Sequence, residues 1–221
     1  MSTVESYLTS TWFLDLEDTN LIDFSIRFVQ DNMSHKQKAV ALYYAVRDDI
    51  AYNPYTYSPL KETFKASHCV RQPQSYCVPK AILLVALARL NGIPARLGLA
   101  DVQNHLASPA LLKWLKSEEF VMHGYAEMLI EGKWVKSTPA FDKRLCKAMK
   151  VKPLEFNGKD DSVFHQFNGE GQRAMEYLRE HGHFADVPYE LIVDAVAAAY
   201  PHLVEEYKKK AGHSLETDLS T

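Results

Sequence analysis

Three cysteines, Cys69, Cys77 and Cys146, are the residues best suited to covalent chemistry, and they form an odd set without a CxxC pair. That pattern suits neither a disulfide framework nor a cysteine zinc knuckle. Cys77 stands apart because a polar, proline-interrupted stretch gives way there to the apolar run VPKAILLVALARL. A sulfur at a helix start meets unpaired N–H groups and the positive end of the helix dipole, which favours thiolate, the nucleophilic form. The plain alternative is a small buried cysteine at a helix start. A base to take the thiol proton and return it to a leaving amine is available in His123, at the head of a strand candidate. A third group must orient the imidazole, and Thr138 and Asp142 follow at the far end of the returning strand. With Asp142 the chain order is Cys, His, Asp.

The elements that must hold these residues can be read from periodicity and punctuation. Apolar positions over 21–29 allow a short helix, with a strand as competitor, and Ser34 caps a second helix reaching Ile50. The stretch 53–75 has no sustained period and reads as a long irregular approach to Cys77. The apolar helix runs from Cys77 to Leu90, closes on Asn91-Gly92, and leads into a strand over 95–100. Ser108-Pro109 opens a short helix within a lid-like segment over 101–119. His123 to Ile130 and Trp134 to Ser137, joined by Glu131-Gly132-Lys133, read as an antiparallel hairpin. Further on, a short helix is expected over 173–181 and a longer one over 189–210 that Pro201 divides.

Composition narrows the function classes. The 221 residues, 47% hydrophobic and 24% charged, suit one globular unit. A formal charge of −3 supplies no field for gathering phosphate backbones, so nucleic acid is not an expected partner. The N-terminus lacks a basic and then apolar leader, and no apolar run reaches the roughly 18 residues of a span. A soluble, cytoplasmic protein without a membrane partner is the expectation. His181-Gly182-His183 and His165 fall short of zinc spacing, and Glu155 with Asp160-Asp161 lacks a calcium loop, so neither metal nor cofactor is expected.

Taken together, the Ser75-Tyr76-Cys77 opening, the apolar helix, Gly92-Ile93-Pro94-Ala95-Arg96 and the histidine-led HGYAEMLIEGKWVKSTPAFD resemble the transglutaminase-like domain of bacterial proteins. The resemblance spans about 75–142 and includes Glu127 and the Gly132-Lys133-Trp134-Val135 return. It implies an α+β, papain-like fold, with the nucleophile at the N-terminus of a central helix packed on a small antiparallel sheet. It also implies acyl transfer on amides through a thioester. Residues 1–150 would form the catalytic core with a helical N-terminal part, and residues 151–221 a helical extension packed on it, with the last ten or so frayed. The family usually places an aspartate four residues after the tryptophan of the return strand, where this chain has Thr138. A hydroxyl accepts an imidazole N–H but brings no charge, so Asp142 is the expected orienter and Thr138 the alternative.

The resemblance also implies an oxyanion hole, whose first donor would be the Cys77 backbone N–H and whose second would be Gln74 or Gln72 from the preceding loop. Tyr76 flanks the nucleophile and is a candidate for the acyl pocket. Two functions remain open at this level. One is a cysteine-dependent hydrolase or acyltransferase acting on a peptide, a protein or a small amide. The other is a transglutaminase-like fold kept as a protein-binding module, with Cys77 unactivated because Thr138 stands in the acid's place.

Overall fold

The structure, a computed structural model, describes residues 4–163 and 175–212. His165 and the tail expected to fray, 213–221, lie outside these. Helix α1 (Thr19–Ile26) starts on Asp18, whose carboxylate accepts the Asn20 N–H at 2.9 Å. Helix α2 (His35–Asp49) starts on a reciprocal box in which Ser34 Oγ accepts from Gln37 N–H and Gln37 Oε1 accepts from Ser34 N–H. The helix reading over 21–29 therefore holds, as does the Ser34 cap.

The stretch read as irregular contains short pieces that serve the next helix. Strand β1 (Ala51–Tyr52), helix α3 (Ala66–Val70) and strand β2 (Gln74–Ser75) alternate with two short 3-10 turns. β1 and β2 pair in parallel, with Tyr52 opposite Ser75, so the end of α2 is tied to the residues just before Cys77. Helix α4 (Cys77–Leu90) is buried on every side from Cys77 to Arg89. A helix that is apolar all round belongs in a core, and this one lies between α1–α3 and the main sheet. Its two buried cations serve as clamps. Lys80 Nζ donates to the carbonyls of Arg47 and Ile50 at the end of α2. Arg89 donates to Ala95 O at 2.9 Å and Thr9 O at 2.8 Å, and to Ala185 O.

Strand β3 (Ala95–Asn104), helix α5 (Pro109–Leu115), strand β4 (Glu119–Ile130), strand β5 (Lys133–Ser137) and helix α6 (Lys143–Ala148) follow. Strand β6 (Met175–Phe184) completes an antiparallel sheet of order β5-β4-β3-β6, and helices α7 (Tyr189–Ala199) and α8 (Pro201–Gly212) close the described chain. The expected α+β architecture is present. The described part of the helix expected over 173–181, from Met175 on, is instead β6, and the described region beyond residue 150 is not purely helical. Met, Glu, Leu and Arg are good helix formers, but propensity is worth tenths of a kcal/mol per residue, and the free edge of β3 offers a full ladder of hydrogen bonds that overrides it. No described helix is long and apolar enough to cross a membrane.

Candidate active site

Cys77 occupies the first turn of α4 after Tyr76, whose backbone is extended and whose side chain makes no cap bond. The helix start therefore presents its free N–H groups to the sulfur. Cys77 is 9% exposed. Burial pushes its thiol up to about 11, against the opposing pull of the N–H groups of Gly124, Val78 and Cys77 itself and of the Lys80 charge. The helix terminus acts as the sequence predicts, but desolvation outweighs it, so the thiol rests protonated in this enclosed arrangement.

His123 approaches from β4, and the next residue sets how closely. A Cβ on Gly124 would fall 2.8 Å from Val78 Cα and 3.3 Å from Cys77 O, so only glycine lets β4 lie against the head of α4. His123 and Cys77 line one cavity. The ladder pairs Ala100 with His123 and then Val102 with Phe120, so Asp101 alone spans Val121 and Met122. This is a bulge in β4, a device that re-aims the side chains beside it. At its corner Met122 takes φ +56°, a strained setting for a non-glycine residue. Asp101 Oδ1 accepts the Met122 N–H at 3.0 Å and stands 2.8 Å from His181 Nε2 on β6. Asp101→Ala would leave that buried N–H without its acceptor, and a loss of about 1–3 kcal/mol in urea unfolding is expected. Asp101→Asn keeps an acceptor oxygen and is expected to retain most of the stability.

The imidazole is 5% exposed, and burial alone pulls its pKa down to about 4. It is therefore neutral and able to accept a proton. An unfolded histidine, near 6.5, binds a proton that the folded one refuses between pH 6.5 and 4, so stability falls as the pH drops through that window. The shift corresponds to roughly 3 kcal/mol. His123→Ala removes this cost, and equilibrium unfolding at pH 7 and pH 4.5 should show a smaller acid loss in the variant than in the wild type.

Two expected partners are engaged elsewhere. Asp142 is the N-cap of α6, accepting from Arg144 N–H at 2.9 Å and Leu145 N–H at 3.1 Å, while its other oxygen accepts from Tyr52 N–H at 2.9 Å. No hydrogen bond joins it to His123, whose buried Nε2 has no partner. Burial pushes the Asp142 carboxyl up, but the three N–H groups and the Lys80 charge outweigh it and hold the group below its ordinary value. Asp142 thus locks α6 to β1, a role in which its residue type suits a helix cap as well as an imidazole partner. Asp142→Ala should cost about 1–2 kcal/mol in thermal or urea unfolding, the range for a lost helix cap. Thr138, one residue past β5, is buried with an unpartnered hydroxyl. Gln74 is exposed and accepts from Asn53 Nδ2 at 3.1 Å, and with Gln72 it lines a separate surface pocket away from His123. Tyr76 lines the cavity that holds Cys77.

Comparison with known proteins places the fold in a family. Residues 22–139, more than half of the chain, match the transglutaminase-like superfamily. The chain belongs to that superfamily. The matched span contains Cys77, His123 and Thr138 and ends before Asp142. The crystal structure of "a Putative Cysteine Protease from Cytophaga hutchinsonii" superposes with a TM-score of 0.45 at 17% identity, over 82% of this chain and 54% of the other. The chain thus spans about half the length of that protein. No curated protein matches it.

The motif residues of this transglutaminase-like chain have structural work of their own. Arg96 sits opposite Glu127 in the β3–β4 ladder, its Nε 2.5 Å from Glu127 Oε2, and its guanidinium lies 4.0 Å from the Trp134 ring centre. Residues outside the motifs close the cavity. Trp114 and Leu115 of α5 form one wall, and Ile192 and Val196 of α7, with Tyr200, form another. Tyr200 Oη donates to Glu119 O at 2.6 Å and accepts from Val121 N–H at 2.8 Å, fastening the helical pair to the first residues of β4. Tyr52 and Tyr57 add aromatic lining. A sequence signal for them existed in the tyrosine density of AYNPYTY, and the i, i+4, i+8 spacing of Ile192, Val196 and Tyr200 marked a buried face. Neither signal says what the face covers.

Proposed function

We propose that this chain is a cysteine-dependent acyl-transfer enzyme or hydrolase acting on an amide or related acyl group of a peptide, a protein or a small molecule. The observation that carries the reading is that Cys77 and His123 line one cavity while the backbone N–H groups of Gly124, Val78 and Cys77 point toward the sulfur. His123, neutral at rest, takes the thiol proton as the sulfur attacks the acyl carbon, and the N–H cluster faces the oxygen that gains charge. The bond to the leaving amine breaks, and the proton on His123 passes to that amine. Water or a second amine then attacks the thioester and gives its proton to His123. The carbon–sulfur bond breaks and the proton returns to the thiol.

The pair works here as a dyad. Asp142 serves α6, and Thr138, if it orients the ring, does so without charge, which lowers the achievable rate. The same observations favour a second reading, a protein-binding module in which Cys77 is inert. The two are separated by mixing the protein with an activated acyl ester and reading intact mass. The enzyme reading expects an acyl group on Cys77 that is absent in Cys77→Ala. No Cys77-bound acyl group under any ester would leave the binding module.

A further inference from the structure

The cavity that Cys77 and His123 share has a size and a chemistry that bear on what it accepts. Its free volume is about 70 Å³, and it opens to solvent on one side. An apolar cavity of about 150 Å³ holds benzene, so this space takes roughly half as much, a short chain of about three or four non-hydrogen atoms. No Lys, Arg, Asp or Glu is among its lining residues. Its walls are aliphatic and aromatic, and burying an unpaired charge among them would be costly. Two of its lining residues, Tyr57 and Tyr76, carry buried hydroxyls without hydrogen-bond partners. Buried hydroxyls are ordinarily satisfied, and two orphans beside a nucleophile are donors in need of an acceptor. Tyr200, which also lines the cavity, has already spent its hydroxyl on β4.

We infer that this cavity is the acyl site, and that it selects a short, uncharged acyl group whose tail of about three carbons fills it, the one acyl oxygen accepting from the Tyr57 or Tyr76 hydroxyl together with the backbone N–H groups. The inference rests on the acyl-transfer reading and narrows its substrate class. Burial pushes the Tyr57 hydroxyl up to about 12 and that of Tyr76 well above its ordinary value, so both remain protonated donors at neutral pH. Val196, on α7, is one of the lining side chains, so shortening it enlarges the site.

The test is a series of p-nitrophenyl esters, acetyl, butyryl, octanoyl and the anionic glutaryl, with nitrophenol release followed alongside the intact mass of the protein. Butyryl is expected to exceed octanoyl and glutaryl by at least tenfold in kcat/KM. Val196→Ala, which enlarges the site, should move the preference toward octanoyl, and Tyr76→Phe or Tyr57→Phe should lower butyryl turnover without restoring glutaryl. A flat series, or a preference for glutaryl, with the acyl group still found on Cys77 would overturn this inference and leave the acyl-transfer reading standing. An absence of acyl-Cys77 with every ester would overturn both.

Discussion

His123→Ala is expected to slow acylation of Cys77 at pH 7 by about 10²–10⁴, the range for removing a positioned general base. The reason lies in the resting state. With the thiol held up to about 11 and the imidazole down to about 4, both by burial, the nucleophile is a neutral thiol that depends on a neighbour to take its proton as it attacks. Without His123, only the small thiolate fraction set by that raised value reacts at pH 7. A stopped-flow record of nitrophenol release from wild type and variant checks this. The variant should also unfold at no lower urea concentration than the wild type at pH 4.5, which separates a lost base from a lost fold. A rate within threefold of the wild type would mean that His123 does not serve Cys77.

Gly124→Ala is the second large effect. The added Cβ would meet Val78 Cα at 2.8 Å, with Cys77 O and Val78 Cγ2 each at 3.3 Å. The nearest of these is backbone at the head of α4, which cannot swing aside as a flexible side chain would, so β4 must move away from α4. Overpacking of this kind costs about 1–3 kcal/mol. The same displacement shifts His123 and withdraws the Gly124 N–H from the sulfur, and a misplacement of about 1 Å can cost 10²-fold in rate. Urea unfolding and ester turnover should therefore both suffer. Gly132→Ala provides the contrast. Its φ of +81° brings strain, but nothing lies within 4 Å of the new Cβ, so stability should fall by about 1 kcal/mol with turnover unchanged.

Local signals were legible where they rest on local physics. Ser34 and Gln37 cap α2, Ser108 caps α5, and Pro201 divides α7 from α8, each through bonds made within a few residues. The placement of Cys77 at a helix head and of His123 on a strand of the sheet was legible from the apolar run and the alternation around them, while their roles belong to the proposal. What stayed hidden depends on partners distant in sequence. β6 is a strand because β3 offers an edge 71 or more residues earlier. Asp142 looked like an orienter because its type fits, but its oxygens are taken by main-chain N–H groups of β1 and α6. Gln74 was assigned by its place before the nucleophile, and the β1–β2 pairing leaves it exposed instead. The Asp101 contact to Met122 had no sequence signal, since a bulge is defined only by the register of the neighbouring strand.

The central claim is that His123 activates Cys77, and the most direct measurement is the pH dependence of Cys77 alkylation by iodoacetamide, read by peptide mass spectrometry in wild type and His123→Ala. In wild type the rate is expected to rise near pH 4, as the imidazole becomes free to accept a proton, and then to stay level across neutral pH. In His123→Ala that plateau disappears and the rate climbs with pH toward about 11. Cys69 and Cys146, which burial raises to about 12 and about 11, show no such plateau in either protein. Identical profiles for Cys77 in both proteins, each rising as an unassisted thiol does, would contradict the account.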